Sequence, residues 1–261
     1  MLQKKKEKVQ VLSTAKLAEG IYEMWLATDM AKEKGAGRFI AVYPKNRATL
    51  LPRPISICER DEKKGALRIV YRIAGEGTKE FSTYQKGDTA EILGVLGNGS
   101  PLEAAEGKTA LLMGGGIGIP PLVELAKELQ HRNCKVQIVP GYRDAQLFLR
   151  QDLEQYGEVY IATEDGSVGT KGNVLDAVRE HQIKADLIYA CGPMPMLRAV
   201  KGYAAKEQIP AWISLEERMA CGVGACLGCV CKTAKEDAHS HVHNARICTD
   251  GPVFLAEDVD I

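Results

Sequence analysis

Between residues 9 and about 100 the apolar positions come in short runs, not at helical spacing. "GIYEMWLAT", "GRFIAVYP", "ISICERDEKKGALRIVYRI" and "DTAEILGVLG" are rich in Val, Ile and Tyr and are broken by Gly, Pro and Asp. That pattern predicts short strands in an antiparallel barrel or sandwich. Near residue 105 the period changes. "KTALLMGGG" reads as a buried strand ending in glycines, and "PPLVELAKELQHRN" follows with Leu122, Leu125 and Leu129 on one helical face. "KVQIVPGYRD", "VYIATEDG" and "ADLIYACGP" read as further strands, with "VLDAVREHQ" and "PMLRAVKGYAAKEQ" as helices. Strands alternating with helices predict a parallel α/β sheet. The expected division is a β-barrel over residues 1–104, an α/β nucleotide-binding domain over 105–212 and a small cysteine-bearing module over 213–261. The last is too small to hold a core without a metal or packing support.

Composition narrows the function classes. The 261 residues carry 34 Lys+Arg against 34 Asp+Glu, a net charge of zero, so no electrostatic footprint for nucleic acid or anionic lipid is expected. The one basic run, "KKKEK" at residues 4–8, is expected to be a solvated end. It leads into "VQVLS" with no apolar signal region, and no stretch approaches the roughly 20 apolar residues of a membrane span. A cytoplasmic protein is expected. In a reducing compartment the eight cysteines point to metal or redox ligation, not to a disulfide framework.

Four of them fall in "CGVGACLGCVC", residues 221–231. Cys221, Cys226 and Cys229 have the spacing C-x4-C-x2-C, and Cys248 follows. This is the plant-type [2Fe–2S] spacing. A compact two-iron object needs thiolates from several directions and a backbone that wraps closely, which Gly222, Gly224 and Gly228 permit; their N–H groups can also tune the cluster through its sulfurs. The competing reading is zinc, from Cys226, Cys229 and the histidines His239, His241 and His243 of "HSHVH". Under the iron–sulfur reading these histidines lie on one solvent-facing side of a hairpin strand. Cys231 begins a strand leaving the loop, about 6–7 Å from Cys229 by strand rise, and is left out of the ligand set. Cys58 and Cys134 carry no motif and read as small core residues.

Three further stretches can hold a dinucleotide. "RPIS", Arg53 to Ser56, offers a cation and a hydroxyl at the head of a strand. "VYRIAGEGT", residues 70–78, places Gly77 and Thr78 at the opening of a helix, where anions bind. "GGGIGIPP", residues 114–121, departs from G-x-G-x-x-G because Ile119 stands at the last glycine. Its turn between strand and helix still lets a dinucleotide approach. Cys191 and Gly192 of "ACGPMPM" fall at the carboxyl edge of a strand, where open sheets bind ligands. Asp144 of "GYRD" suits a free ribose 2′-hydroxyl, while the adjacent Arg143 suits a 2′-phosphate, so the residues alone leave NAD and NADP open.

Together these motifs resemble the ferredoxin–NADP reductase superfamily over residues 9 to about 212. With "EERMACGVGACLGCVCK" and "CTDGPVF" added, nearly the whole chain resembles the electron-transfer subunits of NAD-linked (class B) dihydroorotate dehydrogenases. The resemblance implies FAD held by Arg53, Pro54, Ile55, Ser56, Val70, Tyr71, Arg72, Gly77 and Thr78. It implies NAD at Gly114, Gly115, Gly116, Gly118, Cys191 and Gly192, and a [2Fe–2S] cluster on Cys221, Cys226, Cys229 and Cys248. One departure is Ile55, where the superfamily usually has Tyr; Tyr71 could supply part of the missing stacking. Because nicotinamide exchanges hydride and the cluster single electrons, a flavin must stand between them. No residues remain for an organic-substrate domain. The implied partner is an FMN-bearing catalytic subunit that oxidises dihydroorotate to orotate, in a heterotetramer of two of each. A reductase serving an oxygenase, sulfur or hydrogenase system is the alternative.

Overall fold

The computed structural model describes residues 4–46, 48–234, 236 and 241–261. The first half is a closed antiparallel barrel. Its strands β1 (Lys5–Ala18), β2 (Ile21–Ala27), β3 (Phe39–Tyr43), β4 (Arg53–Asp61), β5 (Ala66–Arg72) and β6 (Thr89–Leu96) close in the order β1-β2-β5-β4-β3-β6. Helix α1 (Glu76–Phe81) lies between β5 and β6. The expected period of two is visible in burial: Met24 and Leu26 of β2, and Ala90 and Ile92 of β6, point inward while their neighbours are wetter. The basic run at residues 4–8 is not a free end. Lys5 to Lys8 pair with Gly94 to Glu91 of β6, so the backbone is committed to the barrel while the lysine side chains stay exposed.

The second half is an open sheet. β7 (Thr109–Gly115), β8 (Lys135–Tyr142), β9 (Glu158–Val159), β10 (Ala162–Thr163), β11 (Thr170–Lys171), β12 (Leu187–Cys191) and β13 (Ala211–Ser214) are parallel. The helices α2 (Pro120–Gln130), α3 (Arg150–Glu154), α4 (Val174–Glu180) and α5 (Met194–Glu207) connect them. The run Ala110–Met113 is buried without alternation, as a parallel strand covered on both faces must be. Leu111 and Met113 join the core beneath α4 and α5, and Ala110 and Leu112 the core beneath α2. The strand expected over "VYIATEDG" is present as β9 and β10, interrupted between them.

After β13 the chain leaves the sheet for the cysteine loop. It forms the hairpin β14 (Val230–Lys232) and β15 (Asn244–Arg246), then returns as β16 (Val253–Leu255), antiparallel to β13 at the edge of the same sheet. The barrel grips this return. Asn98, just beyond β6, donates its side-chain N–H groups to the carbonyls of Asp250 and Val253 at 2.9 Å, and its backbone N–H to Gly251.

Two ion networks weld the barrel to the sheet's helices. Arg60 of β4 meets Glu124 at 2.9 Å and also Glu128, both on α2, while Lys127 donates to the Arg60 carbonyl at 2.8 Å. Arg68 of β5 holds Glu23 and Glu59 on the barrel and Asp152 on α3. No helix among the described residues is long and apolar enough to cross a membrane.

Candidate flavin, nucleotide and iron–sulfur sites

The barrel opens at one end. Arg53 to Ser56 pair only with β3, Ser56 facing Phe39 and Arg53 facing Val42, whereas Val70 to Arg72 pair with β2. Between β4 and β5 the ladder reaches only to Ile57 and Ile69. The two stretches singled out from sequence therefore line the two lips of one split. Next to it, Gly77 leaves the space that the Arg53 guanidinium crosses, since a Cβ there would lie 2.8 Å from Arg53 Nε. Arg53 Nη1 donates to the Leu51 carbonyl at 2.6 Å. The Thr78 hydroxyl accepts from the N–H of Ala74 and Gly75 and donates to the Gly75 carbonyl, so it shapes the turn that delivers α1.

Side chains along the lips alternate. Ile55 and Tyr71 point into the barrel core. The Tyr71 ring stacks on Tyr22 at 6.3 Å and meets Phe81 edge-on at 6.0 Å, and its hydroxyl has no hydrogen-bond partner among the described residues. Its ring thus lies in the barrel core, away from the open side of the split. Val70 turns toward the core beneath α2, and Arg72 toward the nucleotide cleft. Ser56 meets Cys191 across a narrow seam that also contains Ser100, Tyr189 and Ser214. The Cys191 thiol is pushed up to about 12 by burial, with Glu216 adding to the effect and a hydrogen bond with Ser214 opposing it. It is a neutral thiol at physiological pH.

The cleft at the carboxyl edge of the sheet has a volume of about 480 Å³. Gly115, Gly116, Gly118 and Gly192 line it together with Arg72 and Asp144. Gly118 is there because nothing else fits: a Cβ would stand 2.2 Å from the Cys191 carbonyl oxygen. Gly116 takes a φ of +53°, which glycine adopts without steric cost. Gly114 sits outside the lining and packs on Leu122. Asp144 accepts from the Gln146 N–H at 2.9 Å and from its side-chain amide at 3.2 Å. That turn fixes the carboxylate at the end of β8, beside Arg143.

The thiol loop is built from short-range hydrogen bonds. Cys221 Sγ accepts from the Val223 N–H, and Cys226 Sγ from the Gly228 N–H, both at 3.4 Å. Gly222 and Gly224 adopt φ of +67° and +85°, and Leu227 +55°. Gly222 packs on Leu96 at the end of β6, and Gly224 on Thr249. Cys248 lies in a turn clamped by the Arg246–Asp250 ion pair at 3.0 Å, and the Ile247 N–H donates to the Cys229 carbonyl.

The four thiols are neighbours: Cys221 of Cys226, and Cys248 of both Cys229 and Cys221. Although burial opposes ionisation, backbone N–H donors from Val223, Cys226 and Ala225 and the Cys226 thiol draw Cys221 down to about 6. Cys229 and Cys248 are buried, and Cys226 is exposed. Among the described residues no three Cys, His, Asp or Glu side chains converge on one metal position. The C-x4-C-x2-C spacing, with N–H donors beside the thiols, suits a cluster of two irons. Cys231 is on β14, packed against the core and paired across the hairpin with Ala245. His241 and His243 lie in the bend before β15, with His241 at φ +55°, and not on one face of a strand. His239 lies outside the described residues.

Residues 216–260 match the family "iron-sulfur cluster binding domain of dihydroorotate dehydrogenase B", and residues 112–202 the "oxidoreductase NAD-binding domain". The electron-transfer subunit of dihydroorotate dehydrogenase B (NAD+) from Bacillus caldolyticus is 45% identical over 97% of this chain and 98% of its own length. The one from Listeria monocytogenes is 41% identical at the same coverage. Among solved structures, an NADH-dependent reduced ferredoxin–NADP oxidoreductase studied for flavin-based electron bifurcation superposes with a TM-score of 0.86. It is 28% identical, over 97% of this chain and 89% of that one. A ferredoxin–NADP+ reductase from Neisseria gonorrhoeae with bound FAD and NADP shares the fold over 82% of this chain and 94% of its own, at TM-score 0.66 and 16% identity. The barrel, sheet and thiol loop are those of a flavin- and nicotinamide-dependent iron–sulfur reductase. The chain belongs to the family of dihydroorotate dehydrogenase B electron-transfer subunits.

Proposed function

We propose that the chain carries electrons between a catalytic dihydroorotate dehydrogenase subunit and NAD+, through a [2Fe–2S] cluster and FAD. The observation that carries this reading is the meeting of Cys221, Cys226 and Cys229 of the glycine loop with Cys248 of the turn after the hairpin, beside the end of β6 and the edge of the nucleotide sheet. The nicotinamide supplies two-electron hydride chemistry, the cluster single electrons, and the flavin the exchange between them. What the chain supplies is binding, orientation and electrostatics.

Arg53, beside Gly77, offers its charge to the flavin diphosphate. Thr78 holds the turn, and the backbone of Pro54, Ile55, Val70 and Tyr71 lines the split. Ser56 presents a hydroxyl to the ring system at the seam with Cys191, whose neutral thiol keeps charge away from the reacting edge. Arg72 faces the cleft that takes the nicotinamide dinucleotide. The turn Gly114–Gly118 and Gly192 let the dinucleotide approach the sheet, and Asp144 accepts from the free ribose 2′-hydroxyl. Cys221, Cys226, Cys229 and Cys248 are the cluster ligands, and Cys231 is not. Residues 1–104, 105–212 and 213–261 are the flavin, nucleotide and cluster portions.

The exposed Val223, Leu227 and Val230 around the cluster loop suit a docking partner. That partner is an FMN-bearing catalytic subunit, in a cytoplasmic heterotetramer of two of each. The purified holoprotein is expected to reduce artificial acceptors with NADH and to leave dihydroorotate untouched. Adding the catalytic subunit from the same source is expected to bring NAD+-dependent orotate formation. Orotate made by the chain alone would sink the division of labour, and failure with the matching partner would favour a different electron acceptor.

A further inference from the structure

The turn that carries Cys248 is tied twice. Its backbone closes it first: the N–H groups of Thr249, Asp250 and Gly251 all donate to the Arg246 carbonyl, at 3.1, 2.7 and 3.3 Å. A charged pair is laid over that closed turn. The Arg246 guanidinium donates from Nε and Nη2 to the two carboxylate oxygens of Asp250, both at 3.0 Å, in the bidentate geometry that arginine and a carboxylate favour. The two side chains are 43% and 37% exposed, and an ion pair so wet adds little to stability. Holding the turn is therefore a minor part of what these two charges can do.

Their position says more. Cys248 is the middle residue of the five from Arg246 to Asp250. The guanidinium also leans on the other limb of the thiol loop, since a Cβ on Gly224 would lie 3.4 Å from Arg246 Nη1. Gly224 is the residue whose N–H donates to the Cys248 thiol. The side chains nearest the loop glycines Gly222, Gly224 and Gly228 are those of Leu96, Thr249, Arg246 and Cys226. Among these described residues Arg246 alone is a cation. One positive and one negative group thus flank a cluster ligand, the positive one against the backbone that touches its sulfur. Charge and hydrogen bonding close to the sulfurs decide how readily an iron–sulfur cluster takes up an electron.

We propose that Arg246 and Asp250 are an opposed pair that sets the reduction potential of the cluster, Arg246 favouring the added electron and Asp250 disfavouring it. Neither is a ligand; both act through their field on the thiolates and irons. The inference rests on the iron–sulfur reading above and adds to it the residues that place the cluster in energy between the flavin and the partner.

The test is a dithionite titration of the holoprotein with mediator dyes, followed by low-temperature EPR of the reduced cluster, with iron and acid-labile sulfide counted in every sample. Arg246→Gln should lower the potential and Asp250→Asn should raise it, each changing the one-electron equilibrium about two- to fivefold, the range for half-exposed charges. Arg246→Lys, which keeps the charge and loses the fork, should stay close to the native potential. Combining Arg246→Gln with Asp250→Asn should return the potential towards the native value. NADH should reduce the flavin at the native rate in all of them, because neither residue lines the nucleotide cleft. Shifts of the same sign in Arg246→Gln and Asp250→Asn would mean that the shape of the turn is felt and not its charges, and would overturn the proposal. So would a potential that ignores both changes, Arg246→Lys behaving as Arg246→Gln, or loss of iron from both Arg246→Lys and Asp250→Asn. Stoichiometric zinc without labile sulfide in the native protein would instead sink the iron–sulfur reading itself, a result visible before any variant is made.

Discussion

The nucleotide cleft lies at the carboxyl edge of the sheet, and the thiol loop leaves that edge from β13, yet they are made by different means. The cleft is an edge of packed structure. Its glycines fit against Cys191, Leu122 and Met196, and a sheet covered on both faces holds its shape. The loop has almost no regular structure between Leu215 and Val230. It is shaped by thiols that accept from their own chain and by one ion-paired turn. A site of the first kind is kept by the core. A site of the second kind is kept by what it binds, because so few buried contacts restrain it.

The sharpest test of that contrast is loss of a thiol. Cys248→Ser is expected to remove or badly alter the cluster, read as iron content and low-temperature EPR, while NADH still reduces the flavin. Cys231→Ser should keep the native signal and full activity. If Cys231→Ser is the damaging change, the ligand set must be redrawn around the hairpin.

The next effect concerns the weld that holds the barrel to the sheet's helix α2. Glu124 is only 2% exposed, and Arg60→Met would leave it buried with the more distant Lys127, at 3.6 Å, as its remaining ion-pair partner among the described residues. A loss of about 3–5 kcal/mol is expected from denaturant unfolding at neutral pH. Burial already raises the Glu124 carboxyl above its ordinary value of 4.5, against the pull of Arg60 and Lys127. A raised acid binds its proton more tightly when folded, so its contribution falls as pH rises from about the unfolded value through the folded one. Without Arg60 the folded value climbs further, and the gap between variant and native protein should narrow as pH is lowered from 7 towards 5. A gap independent of pH would mean that lost packing, not the stranded carboxylate, causes the damage.

Gly118→Val is a milder insult to the cleft. Its side chain must displace the Cys191 carbonyl, at a cost of about 1–3 kcal/mol. KM for NADH is expected to rise while the iron content stays native, the reverse of Cys248→Ser. The smallest change is Asp144→Asn. It should reduce the preference for NADH over NADPH, measured as a ratio of kcat/KM values, with little effect on stability. Unchanged preference would move 2′-hydroxyl recognition to another residue.

Much of this architecture was legible in the chain because its signals are local. The period of two in the barrel, the unbroken apolar run of β7, the glycine turn before Pro120 and the C-x4-C-x2-C spacing each need only a dozen residues. β16 was not read because three residues, Val253 to Leu255, carry no period. The aim of Tyr71 was open because alternation along β5 has two phases, and the register with β2 selects the one that sends its ring inward. The pairing of the basic start is hidden in the sequence for a similar reason: lysines on a strand remain wet, as expected of a solvated run, while their backbone is paired. Arg60 and Glu124 are 64 positions apart. Only the folded chain brings them together.

The return of β16 to β13 has a consequence for how the protein is matured. Ser214 and Val253 are register partners, so the whole cysteine segment is an excursion tied at both ends. Most of the entropy of bringing its ends together is spent by the sheet before any iron arrives. A freshly made chain can therefore present its thiols as a tethered, open receptacle on a finished body. A chain that has lost its iron is expected to take it up again with the barrel and the sheet still folded, only the loop having to settle anew.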